Sequence, residues 1–97
     1  MTALHRAAKA GFVETIQILL KHGASVKLED NNGETALFDA VRSTIKKTEN
    51  QLEAIRLLIK SKSNLKHENR RSQTPAMVAM KSKSAAAAKI AKLLKAN

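Results

Sequence analysis

The side chains best equipped for chemistry in this chain are three histidines, His5, His22 and His67, and a large excess of lysine and arginine. A histidine can ligate a metal or move a proton, but either task needs partners. The three sit in three different segments, no cysteine occurs, and no carboxylate stands at ligand spacing from any of them, so no metal site is expected. The three glycines, Gly11, Gly23 and Gly33, are too far apart to build a phosphate-cradling loop. No nucleophile elbow or paired-acid arrangement stands out either. The expectation is a segment without catalysis, cofactor or small-molecule substrate; if the parent protein is an enzyme, its catalytic part lies elsewhere.

The basic residues point toward binding. The formal net charge is +10, and it is unevenly spread: seven basic residues meet six acidic ones in residues 1–49, whereas eleven meet two in residues 50–97. After Glu68 no acidic residue remains. Such an asymmetry suggests a negatively charged partner. Guanidinium forks match carboxylates, which favours an acidic protein or peptide. The alternative is a nucleic-acid backbone held by the basic C-terminal half, with an affinity that falls steeply in salt. Against that stand only two aromatic residues, Phe12 and Phe38, which offer no platform for stacking bases. No apolar run approaches the roughly 18 residues of a membrane span, and the N-terminus shows no signal-peptide pattern.

Binding residues need elements to hold them, and the chain writes one such element three times. Thr2-Ala3-Leu4-His5-Arg6-Ala7-Ala8 returns as Thr35-Ala36-Leu37-Phe38-Asp39-Ala40-Val41 and again as Thr74-Pro75-Ala76-Met77-Val78-Ala79-Met80. Each opening is followed by a second apolar group: Ile16, Ile18, Leu19 and Leu20, then Ile55, Leu57, Leu58 and Ile59, then Ile90, Leu93 and Leu94. The spacing fits two short helices per unit, each burying one stripe. Stacked units bury their faces on one another, so ninety-seven residues suffice where a single large core would be out of reach.

With Thr2-Ala3-Leu4-His5, Ala7-Ala8, Gly11, Leu19-Leu20-Lys21-His22-Gly23-Ala24 and Asn32-Gly33-Glu34-Thr35-Ala36-Leu37, the chain resembles the ankyrin repeat family over essentially its whole length. The resemblance implies an all-α repeat, an α-solenoid of three helix-turn-helix units joined by β-hairpin-like finger turns. It also implies a protein-interaction module without catalysis, of the kind found in intracellular scaffolds, in transcriptional regulators and in effectors that intracellular bacteria deliver into host cells. The units are expected at about residues 1–31, 32–70 and 71–97, in one array whose abrupt N-terminus looks like the cut edge of a longer one. Later units depart from the pattern: Phe38 and Met77 replace the histidine, Thr44 and Lys83 replace a glycine, and Lys62-Ser63 replaces Gly23-Ala24. The imidazole of His5 is expected to bond backbone groups near Thr2 and across to the next unit.

Family usage places binding on the finger tips and on outward positions of each unit's first helix. Carried onto this chain, the fingers supply Glu29, Asp30, Asn31 and Asn32, then Glu68, Asn69, Arg70 and Arg71. The first helices supply Arg6 and Lys9, then Asp39 and Arg42, then Val78 and Lys81. The result is a mainly basic concave stripe for an acidic partner, with Val78 as an apolar anchor.

Three local features complete the sequence. The second unit is longer than the first by an insertion near residues 43–51, and Asn50-x-x-Glu53 has the spacing of a capping box for the helix that follows. Thr74-Pro75 starts a helix in the favoured way. The closing stretch sets Ile90, Leu93 and Leu94 against Lys89, Lys92 and Lys95, as a terminal cap requires; packing accounts for its apolar side better than a membrane surface does.

Overall fold

Small residues on the inner helices and branched ones behind them shape this molecule. The computed structural model describes residues 2–43, 48–81 and 87–95. It places six helices: α1 Ala3–Ala10, α2 Val13–Lys21, α3 Ala36–Val41, α4 Thr48–Lys60, α5 Pro75–Lys81 and α6 Ala87–Lys95. They pair along the chain, α1 with α2, α3 with α4 and α5 with α6, and the pairs stack so that α3 lies between α1 and α5 while α4 lies between α2 and α6. Ala7, Ala8, Ala36, Ala40 and Ala79 are buried along the inner row, where a missing side chain lets helices approach closely. The bulkier Ile16, Ile55, Leu58 and Ile90 fill the space between the inner and outer rows. Burying such side chains away from water drives the stacking.

The start of α1 shows why the opening motif makes a helix. Thr2 takes extended backbone geometry and its hydroxyl accepts the His5 N–H, while the His5 ring accepts the Thr2 N–H in return, a capping box. At Thr35 the same geometry recurs without a side-chain bond, because Phe38 occupies the place that His5 holds in the first unit. The Thr35 hydroxyl is consequently buried with no partner.

Substituted glycines do not change the backbone. Lys62 stands where Gly23 stands one unit earlier and adopts φ 69° against 89° at the glycine; Ser72 stands where Gly33 stands and adopts φ 60° against 73°. The turns are retained at the cost of a left-handed conformation that side chains disfavour.

Some expectations change here. Among the described residues there is no strand, so the fingers are tight turns rather than hairpins of paired strands. Helix α4 begins at Thr48, which puts Asn50 inside the helix and removes the capping box expected at Asn50 and Glu53. Its position is secured instead by Gln51, whose buried amide donates to the carbonyls of Ala40, Val41 and Ser43 at 3.1, 3.1 and 3.2 Å, closing off the end of α3. Residues 44–47 of the insertion, and with them Thr44, lie outside the described residues, as do Lys83 and the side chain of Lys95. In α6, Ile90 and Leu94 are buried against the array while Lys89 and Lys92 are exposed. Among the described residues no helix is long and apolar enough to cross a membrane.

Candidate functional site

Two turns of the same design frame the site. In the first, the Asp30 carboxylate accepts the N–H groups of Asn32 at 2.8 Å and Glu34 at 3.1 Å. In the second, the Asn69 side-chain oxygen accepts those of Arg71 at 2.9 Å and Gln73 at 3.0 Å. Each turn is closed by a backbone bond, Asp30 N–H to the Glu34 carbonyl and Asn69 N–H to the Gln73 carbonyl. The turns are also tied to each other, since the Arg70 N–H donates to the Asn32 carbonyl at 3.0 Å. Glycine favours this contact: φ at Gly33 is 73°, and a Cβ there would lie 3.2 Å from both the Arg70 nitrogen and its Cγ, so Arg70 would have to give way.

Glu34 is the hub. Its side chain is buried, with one oxygen paired to the Arg42 guanidinium and the other accepting the Asn69 amide at 2.7 Å. Its backbone carbonyl accepts the Nε2 proton of His5 at 2.8 Å, while the Thr2 hydroxyl donates to His5 Nδ1 at 2.8 Å. His5 therefore makes both bonds expected of it, one local and one to the next unit. His67 supplies a comparable link further on, donating from Nε2 to the Gly33 carbonyl at 3.0 Å and setting its ring edge-on to Phe38.

Around this hub Asn32, Glu34, Arg42, Asn69, Arg70 and Arg71 line a polar cavity of about 350 Å³. Beside it Val41, Arg42, Arg71, Gln73, Val78 and Lys81 line a second of about 400 Å³. Arg42 and Arg71 belong to both. The fold thus gathers Asn32, Arg42, Asn69, Arg70, Arg71, Val78 and Lys81 into one notch. Arg6, Lys9, Glu29, Asn31 and Glu68 are exposed but line neither cavity.

Three expected surface residues are not surface residues. Asn69 is buried because its side chain builds the turn and holds Glu34. Val78 is buried as floor of the second cavity rather than projecting as an anchor. Asp39 retains only 7% of its exposure, and one carboxylate oxygen is enclosed with no hydrogen-bond partner. Burial pushes its pKa up to about 6; His5 and Lys9 pull it down, and the neighbouring acids Asp30 and Glu34 push it further up.

The fold also assembles what linear spacing did not announce. His5, Asp30 and Asp39 bring one donor atom each within 4.8 Å of one another, close enough to hold a cation. Both ring nitrogens of His5 are already engaged, and Asp30 is occupied by its turn, so a cation would have to displace bonds that hold two units together. Glu34 and Gln51, the residues that organise the notch and the end of α3, escaped the sequence because nothing about an isolated glutamate or glutamine marks it as buried. The one available signal was Glu34's place directly before the repeated threonine.

A family model described as ankyrin repeats, in three copies, matches residues 1–66. A stretch of 42 residues, 43% of this chain, is 43% identical to the potassium channel AKT2/3 of Arabidopsis thaliana and covers 5% of that protein's length. The chain therefore spans only a small part of the curated relative it matches.

Proposed function

Because the chain belongs to the ankyrin repeat family, whose members are generally protein-interaction modules, we propose that it binds an acidic protein or peptide through its basic concave face and finger turns, without catalysis of its own. The observation that carries this is the pair Arg70 and Arg71. Both are exposed on a rigid turn, and among the described residues neither guanidinium has an acidic partner. Arg42 lies beside them with its charge already matched by Glu34. A turn held by its own hydrogen bonds spares the backbone part of the ordering cost, and guanidinium forks favour planar carboxylates. Asn31, Asn32, Glu29 and Glu68 extend the face at the turns, and Arg6, Lys9 and Lys81 extend its positive field along the inner helices.

A phosphate backbone held by the C-terminal half is less well supported. Phe38 is fully buried, and Phe12, 61% exposed, sits in the first unit beside Glu14 and Glu53. Affinity capture of partners at physiological salt, with and without nuclease, separates the two. A discrete protein that survives nuclease and is lost when Arg70 and Arg71 are both changed to glutamate supports the module. Capture that disappears with nuclease, or a double variant that loses helicity, overturns the assignment of these arginines.

A further inference from the structure

The notch has two chambers of different chemistry, and its ligand should too. The polar chamber holds three guanidiniums, from Arg42, Arg70 and Arg71, against one carboxylate, that of Glu34, which leaves it two positive charges in excess. Each Glu34 oxygen already accepts a hydrogen bond, one from Arg42 and the other from Asn69, so the carboxylate is held in place by the chain itself. The adjoining chamber is floored by Val41 and Val78 and walled by the side chains of Arg42, Arg71, Gln73 and Lys81. Arginine and lysine carry long alkyl stems, so beside its polar groups such a chamber also offers hydrocarbon, of which the polar chamber has less. Among the described residues Lys81 makes no ion pair.

We propose that the two chambers form a two-part subsite for an acidic peptide segment in which an aspartate or glutamate lies next to an aliphatic residue. The carboxylate enters the polar chamber and is held by Arg70 and Arg71. The aliphatic side chain rests on Val41 and Val78, and a second acidic residue of the segment meets Lys81 at the rim. This rests on the acidic-partner reading above and narrows it. A phosphodiester backbone would fill the polar chamber but has nothing to place on a valine floor. Arg71 borders both chambers, so it sets the spacing between the acidic and the aliphatic residue.

Fluorescence anisotropy with three labelled probes tests this: an Asp-Asp-Leu-Glu peptide between glycine-serine flanks, the same peptide with serine for leucine, and a single-stranded oligothymidine of matched charge. The leucine peptide is expected to bind about tenfold more tightly than the serine peptide, the scale of one well-buried aliphatic group. Arg71→Gln should weaken the leucine peptide about tenfold, and Arg71→Lys, which keeps charge and stem but loses the fork, by an intermediate factor. Circular dichroism of each variant confirms the fold. Equal binding of the two peptides, or indifference to both Arg71 variants, overturns the two-part subsite but leaves the acidic partner standing. Binding of the oligothymidine with neither peptide, or of no probe at all, overturns both.

Discussion

Replacing Asp39 with asparagine removes a charge that the folded chain holds at a disadvantage, and the size of the effect can be worked out. Asp39 is buried on α3, with His5, Lys9, Asp30 and Glu34 close enough to act on its charge. Its pKa rises from 3.8 to about 6 on folding, chiefly because burial disfavours the charged form. For a carboxyl with a raised pKa, the native state holds its proton more tightly than the unfolded state. The contribution of Asp39 to stability is therefore most favourable below about pH 4, declines between about pH 4 and 6, and levels off above that. At roughly 1.4 kcal/mol per pH unit of separation the full decline is about 3 kcal/mol. Asparagine has nearly the same shape and cannot ionise. Urea unfolding of both proteins from pH 3.5 to 8 should show the difference in free energy, variant minus parent, climbing by about 2–3 kcal/mol across the window and then holding. Taking the difference cancels the carboxylates that do not interact with Asp39, which titrate alike in both proteins. A difference that stays flat within about 0.5 kcal/mol, or that falls with rising pH, would mean that Asp39 is solvated or paired, and the placement of α3 against His5 would be wrong.

Other perturbations probe separate parts of the fold. Leu58→Ala, at a fully buried position in α4, should cost roughly 2–5 kcal/mol in chemical denaturation; a loss below about half a kcal/mol would misplace that helix. Thr35→Val removes a buried hydroxyl that has no partner and makes no cap bond, and should stabilise by about 1 kcal/mol, where a loss would reveal a bond to the hydroxyl. Lys62→Gly relieves a left-handed residue and should gain roughly 0.5–1 kcal/mol by the same assay, less than the full strain because glycine loosens the unfolded chain; a destabilised variant would refute the φ of 69°.

How far the sequence alone could reach varies from residue to residue. The Thr-Ala-Leu-His opening carried its own mechanism, since a capping threonine and a histidine three residues on can satisfy each other within one turn. Stripes such as Ile16 and Ile55 were visible because burial repeats with the helix. The notch was only half visible. Arg70 and Arg71 could be placed on a turn by their register, but register does not tell which side chain turns inward. Asn69, two residues from Arg71, has the register of a surface residue although its amide belongs to the interior. Asp39 is hidden for the same reason: an acid on a short helix looks exposed until a neighbouring unit is stacked over it. Lys62 replaces a glycine of the repeat pattern, yet the backbone there follows the glycine path, because hydrogen bonds around the turn outweigh a modest local strain.

Glu34 reaches each of the three helix pairs or the turns joining them: its carbonyl holds His5 of the first, its carboxylate holds Arg42 at the end of α3 and Asn69 in the turn that leads to α5. A linear array is often treated as a row of beads whose stabilities add with a coupling between neighbours. Here the apolar core shared by the units is joined by one residue whose carbonyl and carboxylate tie all three together. The transition should accordingly be sharp, with the units melting together instead of fraying inward from either end, and the stiffness that keeps the arginines of the notch in register is the same cooperativity seen from the side of binding.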